Sequence, residues 1–430
     1  MNLPNFFLVT LPTVVLTAWA CQDDNGDAPS ATDTALADFN VRQLIVLSDA
    51  DMAAGAYVDG QLRRVPGDQD ELSLIDFSNA DPANSITTVP VSNSVTNWTK
   101  SLDVSPDDQV AFVAETRGQL DPNVTQVDNV GEIPAAQAIR AIDISNPNAL
   151  SLVAEANVGN IPLVAQLSPE GNYLATVIDE PGREIVLLPW QGNAFGTPRY
   201  FAIGRSYETP VRATDITWHP SGNFLAVTLE ESQQLAFYRV NEARTEVTMI
   251  GEPLSLGTLP GAGQFVPSGE FYIIPDVNGF VNEGILYNVR PDFAEGNHQI
   301  ASQVATGGAP ESFGISPDGG RIVVANMEGS WFPEGSEFYT ETSSLSLIAL
   351  AADGTLTEQQ RVPFAGVLPE SVVFDEDGDM IAVAIYEFQD QPLEEATGAV
   401  EFWRVGETSL ETTEVILPLT RGVHVLEAVY

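Results

Sequence analysis

The chain has one cysteine, Cys21, among its 430 residues, so no intrachain disulfide and no cysteine metal cluster can form. Lysine is equally scarce: Lys100 stands alone, and the other basic residues are arginine. Against 17 basic residues stand 60 acidic ones, a formal charge of −43. A surface this negative repels nucleic acid and anionic lipid, so neither is expected as a direct partner. Such a composition suits a protein that meets salt outside a cell, where carboxylates hold water and counter-ions. No G-x-S-x-G, H-E-x-x-H, Walker loop or C-x-x-C occurs, which leaves the common hydrolase, zinc and nucleotide signatures unrepresented.

The apolar run at residues 6–20 is too short to span a bilayer comfortably and is broken by Pro12. It ends in small residues, and residues 1–20 therefore read as an export signal. Cys21 directly follows Ala20, an arrangement that resembles the lipobox of bacterial lipoproteins and implies lipidation of Cys21. Two departures stand beside it: Trp19 is unusual there, and no lysine or arginine precedes the run. Ala18, Trp19 and Ala20 also satisfy an A-x-A cleavage site, which gives simple secretion as the alternative. Residues 21–39, rich in Asp, Ala, Ser and Thr without periodicity, read as a disordered acidic tether. The expected location is the periplasm or the outer-membrane or cell surface, with membrane contact only through the N-terminal lipid.

What the chain has in abundance is one repeated unit. Its clearest copy surrounds Ser316-Pro317-Asp318-Gly319, the residue order of a type I turn. Apolar, β-branched runs flank it at Phe313-Gly314-Ile315 and Ile322-Val323-Val324-Ala325, as expected of strands buried on both faces. Further copies begin at Ser105, Ser168, His219, Val266 and Asp375, so that successive copies are 63, 51, 47, 50 and 59 residues apart. Two more strands follow each turn pair, and four short strands in about fifty residues are a β-propeller blade. The unit at residues 42–91 has three strands and lacks a first. Residues 421–430 have the pattern of that missing strand, so a single seven-bladed all-β propeller over residues 40–430, closed by the C-terminal strand, is expected. A monomer is expected, and the closing strand covers the edge that blade 1 would otherwise expose. Insertions at 118–136, 329–342 and 387–397 lie between second and third strands and are expected on one rim. The glycine-rich stretch 257–263 is read as a connection between blades.

The turn copies resemble the YVTN-type propeller repeat over nearly the whole chain from residue 40. Within that group, the segment from Trp218 to Glu230 is similar to one in the lactonase-like propellers, the 6-phosphogluconolactonase-like and muconate-cyclising enzymes. That segment opens with Pro-Arg-His and closes with Asn-Glu. Glu230 matches the closing glutamate, while Leu229 replaces the asparagine, Asp215 and Thr214 stand where histidine and arginine belong, and Arg212 is two residues out of register. The resemblance implies the propeller fold and, where its motif is kept, lactone hydrolysis. The missing histidine and arginine remove the family's base and anion clamp.

Carboxylates form the other pattern. Glu115, Asp179, Glu230, Asp276, Glu328 and Glu387 all follow second strands at a similar distance, and Glu311 and Glu370 open first strands in matching Pro-Glu-Ser triplets. Should Glu311, Glu370, Glu328 and Glu387 converge on the channel, hard oxygen ligands would favour Ca2+ or Mg2+; otherwise such residues face water. Glu230 and His424 are the candidate catalytic groups, His424 because inner strands line the channel. His219 sits in a turn, His298 is expected to be solvated, and Asp375 to Asp379 is read as a turn rather than a calcium loop. Two functions remain open: a binding or scaffold protein for a protein or small-molecule ligand, or a lactonase-like hydrolase with a divalent cation in the channel.

Overall fold

The computed structural model describes residues 36–430 except 80, 95, 97, 122, 205–210, 279–281 and 390. The expected signal, Cys21 and most of the tether lie outside the described residues. Seven sheets form, each four strands wide at its core, and in six of them the strands follow chain order from inside to outside. The seventh combines Gln43–Ser48, Glu71–Asp76 and Ile86–Pro90 with the last strand of the chain, Val423–Val429. The register is antiparallel, Gln43 opposite Val429 and Ser48 opposite Val423. This is the closed seven-bladed propeller expected, with residues 43–90 and 423–429 as blade 1.

The turns explain why the unit repeats. Ser316 Oγ donates to Asp318 Oδ1 at 2.6 Å and accepts from the Arg321 N–H at 2.9 Å, while the Gly319 N–H closes the turn on the Ser316 carbonyl. Gly319 has φ +75°, as do Gly269 and Gly378, a conformation glycine adopts without cost. Ser105 and Ser168 repeat the serine's role with the N–H groups of Val110 and Tyr173. In the copy at Asp375 the carboxylate accepts from Asp379 and Met380 instead, which makes that acidic stretch a turn.

The strands are buried on both faces because each sheet packs between two others. Seven apolar seams result, one per pair of neighbouring blades, and the last joins Met380, Ala382 and Phe402 of blade 7 to Leu44, Val46 and Ile75 of blade 1. Leu36 and Phe39, at the end of the expected tether, are 2% exposed and belong to that closing seam. Phe39 meets Phe77 and Phe402 edge-on, with centroids 5.4 and 5.1 Å away.

An eighth apolar cluster is of a different kind. It joins Met52, Ala56 and Leu62 to Val127, Ile133 and Trp331, residues contributed by the connections between second and third strands of blades 1, 2 and 6. The insertions therefore meet one another as a cap rather than standing apart on a rim. The largest part, residues 49–70, carries the short helix Ala56–Asp59 and was not foreseen, since it has no turn signature. Tyr386 of blade 7 donates its hydroxyl to the Met52 carbonyl beneath it.

Candidate functional site

The inner strands keep one register relative to the turns, and that register places the channel chemistry. Counting back two residues from the first turn residue gives Asp103, Gln166, Thr217, Gln264, Gly314 and Val373 in blades 2 to 7; counting back five gives Lys100, Glu311 and Glu370 in blades 2, 6 and 7. A cavity of about 230 Å³ runs between these strands, lined among others by Lys100, Glu311 and Glu427 and reaching Phe374 and Tyr430 at the strand ends.

Lys100 is held from the wall. Its ammonium donates to Thr217 Oγ1 at 2.6 Å and to the Gly263 carbonyl, and faces Asp215 Oδ1 at 3.7 Å. Asp215 is fully buried and also accepts from the Gly263 N–H at 3.0 Å and the Tyr272 hydroxyl at 3.2 Å. Burial pushes the lysine pKa down, and the charges of Asp215, Glu427 and Asp103 oppose this. A buried pair of this kind costs about 3–5 kcal/mol to break from one side.

Among the described residues, Glu311, Glu370, Glu427 and Asp103 form no ion pair, and Asp103 accepts instead from the Leu167 and Val104 N–H groups at 2.6 and 2.8 Å. Burial raises the pKa of Glu311 to about 8 and that of Asp103 to about 7. Glu370 is pushed well above its ordinary value by burial and then by the charges of Glu311 and Asp49. Glu427 is raised likewise by burial and by Asp103, with Lys100 pulling the other way. The Tyr57 hydroxyl, on the cap helix, lies where burial and the charges of Glu370, Glu311 and Asp49 push its pKa up, although its residue is 39% exposed overall.

The structure thus brings Glu311 and Glu370 together and places the other candidates elsewhere. Glu328 accepts from the Gly308 N–H at 2.9 Å and from Ser344 Oγ at 2.6 Å. Glu387 accepts from the Ala54 N–H at 3.2 Å and faces Arg421 Nε at 3.9 Å. Asp276 does the same for the Thr258 and Leu259 N–H groups. The repeated carboxylate after the second strand is thus, in these three blades, a clasp on a neighbouring connection. Glu230 sits at the rim of blade 4, where its charged neighbours are Arg212 and Glu231 and burial raises its pKa. His424 is 1% exposed, its Nδ1 lies 2.9 Å from the Gly422 carbonyl, and burial lowers its pKa against the pull of Asp49.

Two other histidines are structural. His219 bonds Ser221 Oγ at 2.8 Å and the Gly269 carbonyl at 3.1 Å across a blade seam. His298, expected in solvent, is 7% exposed: its Nδ1 accepts from the Asp292 N–H and its Nε2 meets the Ile250 carbonyl at 2.7 Å. The imidazole joins an N–H of the blade 5 connection to a carbonyl of the outer blade 4 strand Val247–Ser255, an inter-blade contact that a polar stretch of sequence does not reveal. Lys100, Asp103, Asp215 and Glu427 were missed as site residues. The available signal was a carboxylate inside an inner strand for Asp103, Asp215 and Glu427, and for Lys100 its place five residues before a turn.

A scan of protein families finds no match to this sequence, and a search of curated proteins finds none either. Solved structures do match in fold. A putative 6-phosphogluconolactonase from Bacteroides uniformis superposes with a TM-score of 0.60 at 12% identity, covering 91% of this chain and 100% of that one. The periplasmic gluconolactonase PpgL of Pseudomonas aeruginosa gives 0.60 at 14% identity, covering 90% and 99%. A putative 6-phosphogluconolactonase from Bacteroides fragilis gives 0.59 at 15%, covering 94% and 100%. The likeness is one of fold. The chain is a seven-bladed propeller structurally similar to 6-phosphogluconolactonase-like proteins.

Proposed function

We propose that this propeller is a binding protein that takes a small organic cation into its central channel. The observation that carries this reading is the imbalance of charge in the channel wall. Glu311 and Glu427 line the cavity and Asp103 acts on Glu427 from behind it, while the cation that the described lining supplies is Lys100, which Asp215, Thr217 and Gly263 already hold. A bound cation would restore the ionised form of those carboxylates, so binding at pH 7 is expected to release protons.

Calorimetry of the full mature chain with putrescine, in buffers of different ionisation enthalpy, tests this. A saturable isotherm with buffer-dependent heat is expected, weakened tenfold or more in Glu311→Gln. Absence of binding by the parent protein overturns the reading.

A second reading rests on Glu311 in the cavity wall and Asp103 on the neighbouring inner strand, whose pKa values of about 8 and 7 make an acid and a base available near neutral pH. It is a lactonase-like hydrolase, and a divalent cation, Ca2+ or Mg2+, at Glu311 and Glu370 would polarise the lactone carbonyl. The similar structures described as gluconolactonases make δ-gluconolactone the substrate to try. A phosphorylated lactone fits poorly, because the wall is acidic and the nearby Arg212 guanidinium is taken by Glu230 and Glu231. Turnover of δ-gluconolactone that is lost in Asp103→Asn would replace the binding reading with this one.

Export and lipid anchoring complete the proposal. Their support is the apolar run before Cys21 and the acidic surface. In a bacterial host the full-length chain is expected to partition into the detergent phase of Triton X-114, and Cys21→Ser to move to the aqueous phase. An unchanged partition overturns lipidation.

A further inference from the structure

The cap's attachment to blade 1 holds a second group of buried carboxylates, none of which lines the cavity, although the charge of Asp49 reaches Glu370. Asp49 and Asp51 leave the strand Gln43–Ser48, and Asp70 precedes the strand Glu71–Asp76. They are 2%, 7% and 2% exposed, and one oxygen from each lies within 4.8 Å of the others. The main chain fixes two of them: Asp49 Oδ1 accepts from the Asp51 N–H at 2.9 Å, and Asp70 Oδ1 from the Ala50 N–H at 3.0 Å.

A fourth residue supplies the independent observation. Asn93, fully buried, enters from the connection after the strand Ile86–Pro90. Its Nδ2 donates to the carbonyls of Ser48 and Val91, and its main-chain N–H reaches Asp70 Oδ2 at 3.5 Å. The amide is thereby pinned beside the acidic group, with Nδ2 spent on two carbonyls and Oδ1 left over as an acceptor. That oxygen is enclosed and has no hydrogen-bond partner among the described residues. An enclosed acceptor beside three buried carboxylates is electrostatically the wrong neighbour unless something positive sits between them. Burial together with the charge of Asp49 raises the pKa of Asp51 to about 7, the Arg64 guanidinium opposing, and burial with the charges of Asp49 and Asp51 pushes that of Asp70 well above its ordinary value.

We propose that Asp49, Asp51, Asp70 and the side-chain oxygen of Asn93 bind one calcium ion at the rim of blade 1. The donor set is hard oxygen throughout, which suits calcium or magnesium. Coordination geometry decides between them. Magnesium demands near-octahedral geometry and keeps several waters rather than entering an all-protein cage, whereas calcium takes irregular sets of protein oxygens, so calcium is the ion expected. The ion would fasten both ends of residues 49–70, the segment that carries Tyr57 over the channel.

The test is a titration of the chelator-treated full mature chain with CaCl2 and MgCl2, followed by calorimetry and by melting temperature against NaCl of equal ionic strength. One calcium per chain is expected, magnesium at least tenfold weaker, and a rise of several degrees in Tm with calcium beyond the salt control. Asp51→Asn and Asp70→Asn are expected to weaken calcium tenfold or more. Asn93→Asp, which adds a carboxylate at the fourth position, is expected to tighten it, so the proposal stays testable where an aspartate variant does not fold. No binding beyond the salt effect overturns the site. Binding that survives in Asp51→Asn but is lost in Glu311→Gln would put the ion in the channel and overturn it equally.

Discussion

A chain truncated after Thr420 is expected to be recovered only as aggregate. The lost strand, Val423–Val429, is the innermost of blade 1 and pairs along the whole of Gln43–Ser48. Val423, Val425, Leu426 and Val429 are at most 2% exposed and belong to the seams on both sides of that blade. At about 1.5–3 kcal/mol for each buried side chain, their removal costs roughly 6–12 kcal/mol, against a total stability of about 5–15 kcal/mol for a domain. Two bonds that lock the strand to blade 7 go with it: the Leu426 N–H to Ser371 Oγ at 3.1 Å, and the Tyr430 hydroxyl to the Phe374 carbonyl at 3.0 Å. The strand Gln43–Ser48 would then present a free apolar edge, the feature closed propellers avoid. Size-exclusion chromatography and thermal melting check this; a soluble truncation that melts cooperatively within a few degrees of the parent would mean that blade 1 does not need its fourth strand. Tyr430→Ala, which removes one hydrogen bond and leaves the pairing, serves as the mild control.

The blade count was legible because a turn is a local object. Ser316-Pro317-Asp318-Gly319 carries its own hydrogen-bond acceptor, fixed φ and left-handed residue, so each copy announces itself regardless of its surroundings. The closure was legible by elimination, one unit being a strand short and the chain end supplying one. The cap was not, because residues 49–70 have no periodicity; Met52 and Leu62 are buried by Val127 and Trp331, residues far away in sequence. Channel chemistry fell between these cases. Lys100, Asp103 and Glu311 are placed by their distance from the turn, which could have been counted. That Asp215 would face Lys100, and that Glu328 and Glu387 would clasp main-chain N–H groups while Glu311 and Glu370 stayed without a cation, depends on how neighbouring blades are rotated. No property of the individual repeats encodes that.

Stability is expected to fall as pH rises from about 4.5 to 8, the reverse of the usual behaviour of paired carboxylates. Glu311 is the clearest contributor. In the unfolded chain its proton leaves near the ordinary 4.5, and in the folded chain near 8, because burial disfavours the charged form. Between those values only the folded state holds the proton, so the unfolded state binds fewer protons and stability declines with rising pH. The stabilisation is complete below about pH 4.5 and gone above about 8. The gap corresponds to up to about 5 kcal/mol for this one residue. Asp103 and Glu401, each raised to about 7 by burial, add to the slope in the lower part of the window. Glu311→Gln removes the ionisable group and keeps its shape, and it also relieves Glu370 of a like charge. The variant is therefore expected to match the parent near pH 5 and to exceed it by several degrees in Tm at pH 8.5. Denaturant melts across that range decide the matter: a parent that gains stability toward pH 8, or a variant no more stable than the parent there, would show that the Glu311 carboxylate is charged and compensated inside the channel. Repeating the pH 8.5 melt with putrescine connects this result to binding, since a cation seated against ionised Glu311 should restore in the parent what the substitution supplies in the variant.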